Sequence, residues 1–369
     1  MSVPFFDIKK QIASIRQEID AAIAEVIDSG AFILGPKVSE LEKVAAEYLE
    51  VKHAIGVASG TDALMLALKA CGIKKNDEVI TTPLTFVATA DAIAHCGANP
   101  VFCDITTKTF NIDPLKLEKT ISSKTTAILP VHLYGQSSDM DQIMSIAQKH
   151  NLKIIEDCAQ AIGAKYKEKF VGGFGNAGCF SFFPTKNLGC FGDGGLVTTN
   201  SDEIADMLKV LRGHGSRKTY HYDYIGYNSR LDSIQAAILL VRFKYLAKWT
   251  ESRRKNASIY KKLLEGIRQI SLPEEEKNNF HVYNQFTLLA ESRDNLLEFL
   301  KKKGIGSMVY YPLSLHLQKA FKCLNFKEGD FPESEKAQKE VLSLPIYPEL
   351  PEKELEEVAS AVKEFYGQS

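Results

Sequence analysis

At 369 residues the chain is long enough for one large domain with a smaller one beside it, or for two of middling size. Its 45 Lys and Arg nearly cancel its 46 Asp and Glu, and no basic face stands out, which argues against nucleic acid or an anionic membrane as the main partner. Seven cysteines, at 71, 96, 103, 158, 179, 190 and 323, form no CxxC and no Cys/His cluster, so they fit a reducing compartment and support no metal site.

The first segment, MSVPFFDIKKQIASIRQEID, is charged and helix-periodic and lacks a signal-peptide apolar core. Apolar runs such as AAILLV (236–241) are too short to cross a bilayer, and the protein is expected in the cytoplasm. HAIGVAS (53–59) reads as a strand, followed by a helix from Thr61 to about Ala70. DEVITT (77–82) is a second strand, then a helix through Ala88–Ala94. PVFCDI (100–105), TTAILPVHL (125–133) and LKIIEDCA (152–159) are further strands, with a helix around Met140–Lys149. This alternation predicts a mostly parallel sheet covered on both faces, with ligands at the carboxyl ends of its strands.

After residue 180 come two strands, GCFSFF (178–183) and GGLVTT (194–199), with a glycine-rich connection. A long helix from Ser233 to about Tyr260 carries the chain out of the first domain. The remainder reads as strand (281–289), helix (Arg293–Lys303), strand (307–312) and two charged helices. The expected fold class is α/β: a large domain over 1–245, with an N-terminal helix and a mostly parallel sheet flanked by helices, and a smaller C-terminal α/β domain over 246–369.

Four local signals carry chemistry. Ser59-Gly60-Thr61-Asp62 lies between a strand and a helix, where free N–H groups and the helix dipole favour a phosphate; the same residues also read as an ordinary N-cap. Asp157 ends an apolar strand, where a carboxylate can meet a cationic ligand group such as a pyridinium, or simply cap a loop. Lys186, in FSFFPTK, stands beside apolar surface that would lower its pKa and make it nucleophilic toward an aldehyde; a snorkelling surface lysine is the bland alternative. The fourth is Gly226-x-Asn228-x-Arg230-x-x-x-x-Gln235-Ala-Ala, whose polar residues precede a long helix and can reach across an interface.

Gly173-Phe-Gly175-Asn-Ala-Gly178 matches the dinucleotide fingerprint GxGxxG, which requires a strand before it and a helix after it. Here a strand follows and AKYKEKF precedes, so the segment is expected to be a hairpin turn and the NAD reading fails.

Together these residues identify a resemblance that covers essentially the whole chain. FILGP (32–36), SGTDAL (59–64), TPLTFVATA (82–90), IIEDCAQAIGA (154–164), SFFPTKNLGCFGDGG (181–195), RGHG (212–215) and YNSRLDSIQAAIL (227–239) resemble, in this order, the DegT/DnrJ/EryC1/StrS family of nucleotide-sugar aminotransferases, within the fold-type I, aspartate aminotransferase-like enzymes that use pyridoxal 5'-phosphate (PLP). The resemblance implies that Lys186 carries PLP as a Schiff base and that Asp157 partners the pyridine nitrogen. It implies that Gln160 bonds the ring hydroxyl, that Phe86 stacks on the ring, and that Gly60, Thr61 and Ser181 hold the phosphate.

By the same resemblance Asn228 reaches the neighbouring subunit's cofactor, so the active unit is a homodimer with composite sites. Arg230, His214, Tyr310 and Tyr311 are the expected substrate residues. Position 162 is Ile where many relatives have His, so any role of that His is either absent here or transferred, with His214 as the candidate. The implied reaction moves the amino group of L-glutamate to a UDP- or dTDP-linked 3-keto hexose, as in bacterial surface-polysaccharide or amino-sugar biosynthesis. NSRLDSIQAAIL looks more like C3-acting members, closest to the UDP-3-keto-glucuronic acid aminotransferases of O-antigen pathways, than like the NYRMTDIQAA of C4-acting ones. The rivals are amination at C4, a PLP-dependent sugar dehydratase, which has His where this chain has Lys186, and a non-enzymatic PLP-binding regulator.

Overall fold

The computed structural model describes residues 3–367. A seven-stranded sheet forms its centre: β1 (His53–Val57), β2 (Glu78–Thr81), β3 (Asn99–Phe102), β4 (Thr125–Ile128), β5 (Lys153–Asp157), β6 (Ala177–Ser181) and β7 (Gly195–Thr199), in the spatial order β1-β7-β6-β5-β4-β2-β3. Neighbouring strands run parallel except around β7, which is antiparallel to both β1 and β6. Strands such as EVIT and KIIED are short, β-branched and buried on both faces, as a helix-covered parallel sheet requires.

Helices Gly60–Ala70 and Asp202–Arg212 pack on one apolar layer of the sheet, and Pro36–Tyr48 and Ser233–Phe243 on another. Ser59 starts the first of these: its hydroxyl accepts from the Asp62 N–H at 3.1 Å. Because the strands share a direction, the carboxyl ends of β1, β2, β5 and β6 open onto one crevice, the position at which such sheets bind ligands.

A separate core gathers Tyr260, Phe286, Leu288, Leu296, Leu342, Leu355 and Val358, and Val3 from the other end of the chain joins it. It is built on the three-stranded sheet Ile270–Ser271, Phe286–Ala290 and Val341–Leu344, with helices Arg293–Lys302 and Glu352–Phe365.

Four local expectations change. The long helix is two, Ser233–Phe243 and Leu246–Leu263, because Tyr245 turns aside to bond Glu18 and to stack on Trp249 (centroids 5.7 Å apart). The strand expected at 281–289 begins only at Phe286. Ahead of it the backbone N–H groups of Asn284 and Gln285 turn to the Tyr134 carbonyl instead of a ladder. Residues 307–312 form no strand and touch a ladder only at Met308, which pairs with Ser343.

The fourth concerns GFGNAG, which is no hairpin turn: β6 pairs with β5 and β7, not with the short strand Lys169–Phe170 before the turn. The turn instead wraps the buried Glu156 carboxylate. Oε2 accepts from Gly172 N–H (2.8 Å), and Oε1 from Phe174 and Gly175 N–H (2.8 Å each). The Ser138 N–H donates to His132 Nδ1 (3.1 Å), so Nε2 carries the proton that bonds Glu156 Oε2 (3.1 Å). His132, Glu156 and Cys158 bring metal-ligand atom types together, but both carboxylate oxygens already serve two donors each. Among the described residues, no helix is long and apolar enough to cross a membrane.

Candidate active site

The crevice deepens into a cavity of about 460 Å³ that collects most of the predicted residues: Gly60, Thr61, Phe86, Asp157, Gln160, Ser181, Lys186, Tyr310 and Tyr311 all line it. Asp157 is there because β5 ends at its carboxylate. Its backbone is held by Pro130 and His132, its Oδ1 accepts from the Ala159 N–H (3.1 Å) and its Oδ2 from the Thr89 hydroxyl (2.8 Å). Burial pushes the carboxyl's pKa up, and those two hydrogen bonds, then Lys186 and His132, pull it partly back. A cation beside Asp157 would complete that compensation.

Lys186 sits one turn past β6. Burial lowers its amine to about 8, against an upward pull from Asp157. A lysine so placed supplies neutral amine near neutral pH and is a competent nucleophile and proton carrier. Gln160 is fixed at both ends: Oε1 accepts from the Tyr134 N–H (2.6 Å) and Nε2 donates to the Tyr311 hydroxyl (3.2 Å). Phe86 lies at the wall with its ring 6.1 Å from that of Tyr311. At the other end, a Cβ on Gly60 would come 2.6 Å from the Ser181 Cβ, so only glycine lets the helix N-terminus approach this closely.

Three predicted residues stand outside this chain's own cavity. Asn228 is exposed on the segment pinned to the start of helix Gly60–Ala70 by the Ser229–Asp62 bond (2.7 Å). Arg230 is half-buried and pairs with neither Asp223 nor Asp232. His214 is exposed, and Ile162 is buried in the core, so within one chain the absent His is not replaced at the cavity by His214. Sequence reading missed Thr85 and Thr89, whose hydroxyls bond each other (3.0 Å) behind Asp157, and Asn284 and Gln285, which reach the cavity from the second core. The TPLTFVATA run holds the two threonines; no local signal marks the two amides.

A half-buried, desolvated amine, a buried carboxylate and a glycine-opened helix N-terminus around one cavity define a lysine-based carbonyl enzyme of the PLP type. Residues 13–363 match the DegT/DnrJ/EryC1/StrS aminotransferase family, to which the chain belongs. It is 52% identical over 368 residues to a "pleiotropic regulatory protein" of Geobacillus stearothermophilus, covering 99% of each chain. It is 45% identical over 362 residues to the UDP-N-acetyl-3-dehydro-alpha-D-glucosamine 3-aminotransferase of Acidithiobacillus ferrooxidans, covering 98% of this chain and 97% of that one. The crystal structure of S. venezuelae DesV in complex with a ketimine intermediate superposes with a TM-score of 0.97 at 43% identity, covering 100% of this chain and 99% of the other. The protein is thus a PLP-dependent aminotransferase of the nucleotide-sugar class.

Proposed function

We propose that the enzyme moves the amino group of L-glutamate to C3 of a UDP- or dTDP-linked 3-keto hexose, working as a homodimer. The observation that carries this reading is the half-buried Lys186 amine, lowered to about 8, in one cavity with the buried Asp157 carboxyl. PLP, when bound, supplies an electron sink for negative charge beside the transferred nitrogen. Asp157 would keep the ring nitrogen protonated, and Thr89 orients its carboxylate. Lys186 anchors the cofactor; released, its Nζ takes the α-proton of glutamate and later moves a proton for the sugar. Gln160 would bond the ring hydroxyl, Phe86 would cover the ring, and Gly60, Thr61 and Ser181, which line the same cavity, would hold the phosphate at the helix N-terminus.

The 3-keto choice draws on the Acidithiobacillus relative, whose name specifies amination at C3. The homodimer draws on Asn228 and Arg230, polar residues left outside their own cavity, and on exposed apolar segments: Phe32–Leu34, Tyr220 (85% exposed) at the turn between the short strands Ser216–Lys218 and His221–Tyr222, and Ile225 (93%) just after them. In the dimer Asn228 contacts the partner's cofactor. Arg230 and His214 face substrate there, as Tyr310 and Tyr311 do in the cavity. A second reading, a PLP-binding regulator, is favoured by the name of the Geobacillus relative.

Purified enzyme, glutamate and a panel of UDP- and dTDP-linked 3-keto and 4-keto sugars separate the readings. A C3-amino sugar formed in step with 2-oxoglutarate is expected. A C4-amino product overturns the regiochemistry. No cofactor spectral response to glutamate and no amine transfer favour the regulator.

A further inference from the structure

Asn284 and Gln285 precede the strand Phe286–Ala290, and both residues line the cavity that holds Lys186 and Asp157. They are 9% and 8% exposed, so their amides are withdrawn from water. The backbone there is held from both sides. The N–H groups of Asn284 and Gln285 donate to the Tyr134 carbonyl (2.9 and 3.4 Å), and the buried Arg253 guanidinium donates to the carbonyls of Tyr283 and Asn284 (3.1 and 3.5 Å). Tyr134 also donates its own N–H to Gln160, so one residue separates the amide pair from the turn that follows Asp157.

The two side chains share one bond: Asn284 Nδ2 donates to Gln285 Oε1 at 2.7 Å. That leaves Asn284 Oδ1 buried without a hydrogen-bond partner and the Gln285 NH2 free to donate elsewhere. Native sites seldom leave a buried acceptor bare unless something else meets it. Turning both amides over together keeps the mutual bond and exchanges the roles, so the pair presents one acceptor and one donor in either arrangement. A carboxylate offers acceptors alone and would oppose the free oxygen. A hydroxyl or a secondary amide offers both.

We propose that Asn284 and Gln285 form an amide clamp that selects the keto sugar by a neutral hydroxyl or acetamido group on a carbon flanking the reacting carbonyl. This rests on the proposed function and deepens it.

The test uses holoenzyme and nucleotide-linked 3-keto sugars that differ only at a flanking carbon, bearing hydroxyl, acetamido or hydrogen. The glutamate step is followed by the cofactor spectrum, the sugar step by single turnover, and affinity for the amino-sugar product by calorimetry. Asn284→Ala and Gln285→Ala are expected to lower kcat/KM by about 10- to 100-fold on the hydroxyl or acetamido sugar that the wild type prefers, with product affinity falling alongside. The hydrogen-bearing sugar and the glutamate step should change by less than about 3-fold. If Asn284→Ala misfolds, the isosteric Asn284→Asp consumes the Gln285 donor, leaves only acceptors, and is expected to show the same selective loss. Equal losses on all three sugars, or a loss confined to the glutamate step, would overturn the clamp while leaving the function standing. A wild type that aminates none of the panel overturns the function and the clamp with it.

Discussion

Single residues decide the chemistry here through desolvation. Lys186 at about 8 instead of the usual 10.5 means that cofactor-free protein should capture an aldehyde at a rate rising with pH around a midpoint of about 8. A midpoint near 10.5 in stopped-flow measurements would show an unburied lysine. The folded pKa lies below the unfolded one, so between these values the unfolded chain binds the extra proton. Stability of the cofactor-free protein should therefore fall as pH drops through that window and level off below it. Lys186→Ala should abolish transamination and flatten that slope while the fold persists; substantial turnover by the variant would displace Lys186 from its role. Asp157→Asn should cost about 10²-fold or more in rate and weaken cofactor retention, as when a preorganised charge is removed. An unchanged rate would mean another group protonates the ring.

Arg230 belongs to the same scale. Its guanidinium has neither Asp223 nor Asp232 as partner, and it can hold a carboxylate through two parallel bonds. If it reads a sugar carboxylate, Arg230→Ala should cost roughly 2–4 kcal/mol in turnover of a 3-keto-uronate and almost nothing for the 6-deoxy sugar. Equal losses on both sugars would place it on glutamate or in the loop.

At the level of elements, strand β5 presents two carboxylates in succession to opposite sides of the sheet. Asp157 faces the cavity, and Glu156 organises the glycine turn behind it. The turn's N–H groups thus bind a phosphate-like anion that the chain supplies itself. Glu156→Gln sets an NH2 group against those donors and should destabilise the fold by about 1–3 kcal/mol, measured by denaturant unfolding. Unchanged stability would show that the turn holds without the carboxylate.

At the level of the whole molecule, the proposed composite site would make subunits complement one another. Mixing Asn228→Ala with Lys186→Ala protein should restore activity, because a heterodimer holds one site with both residues intact. Random exchange makes about a quarter of all sites wild type, so recovery should approach that fraction. No recovery despite subunit exchange, followed by mass spectrometry, would place Asn228 in its own subunit's service.

The linear chain by itself determined whatever depends on neighbours in sequence. Strand–helix alternation specified the sheet, an apolar strand running into Asp157 put a carboxylate at its open end, and Gly60 after Ser59 marked a helix start that tolerates close approach. Tertiary structure decided what depends on distant partners. That GFGNAG wraps Glu156 instead of forming a hairpin turned on which carboxylate the fold brought to it. The break at Lys244–Tyr245 follows from a bond to Glu18, more than 200 residues earlier. Asn284 and Gln285 carry no local signature, because their amides become binding groups only once the second core presses them into the cavity and removes water from them.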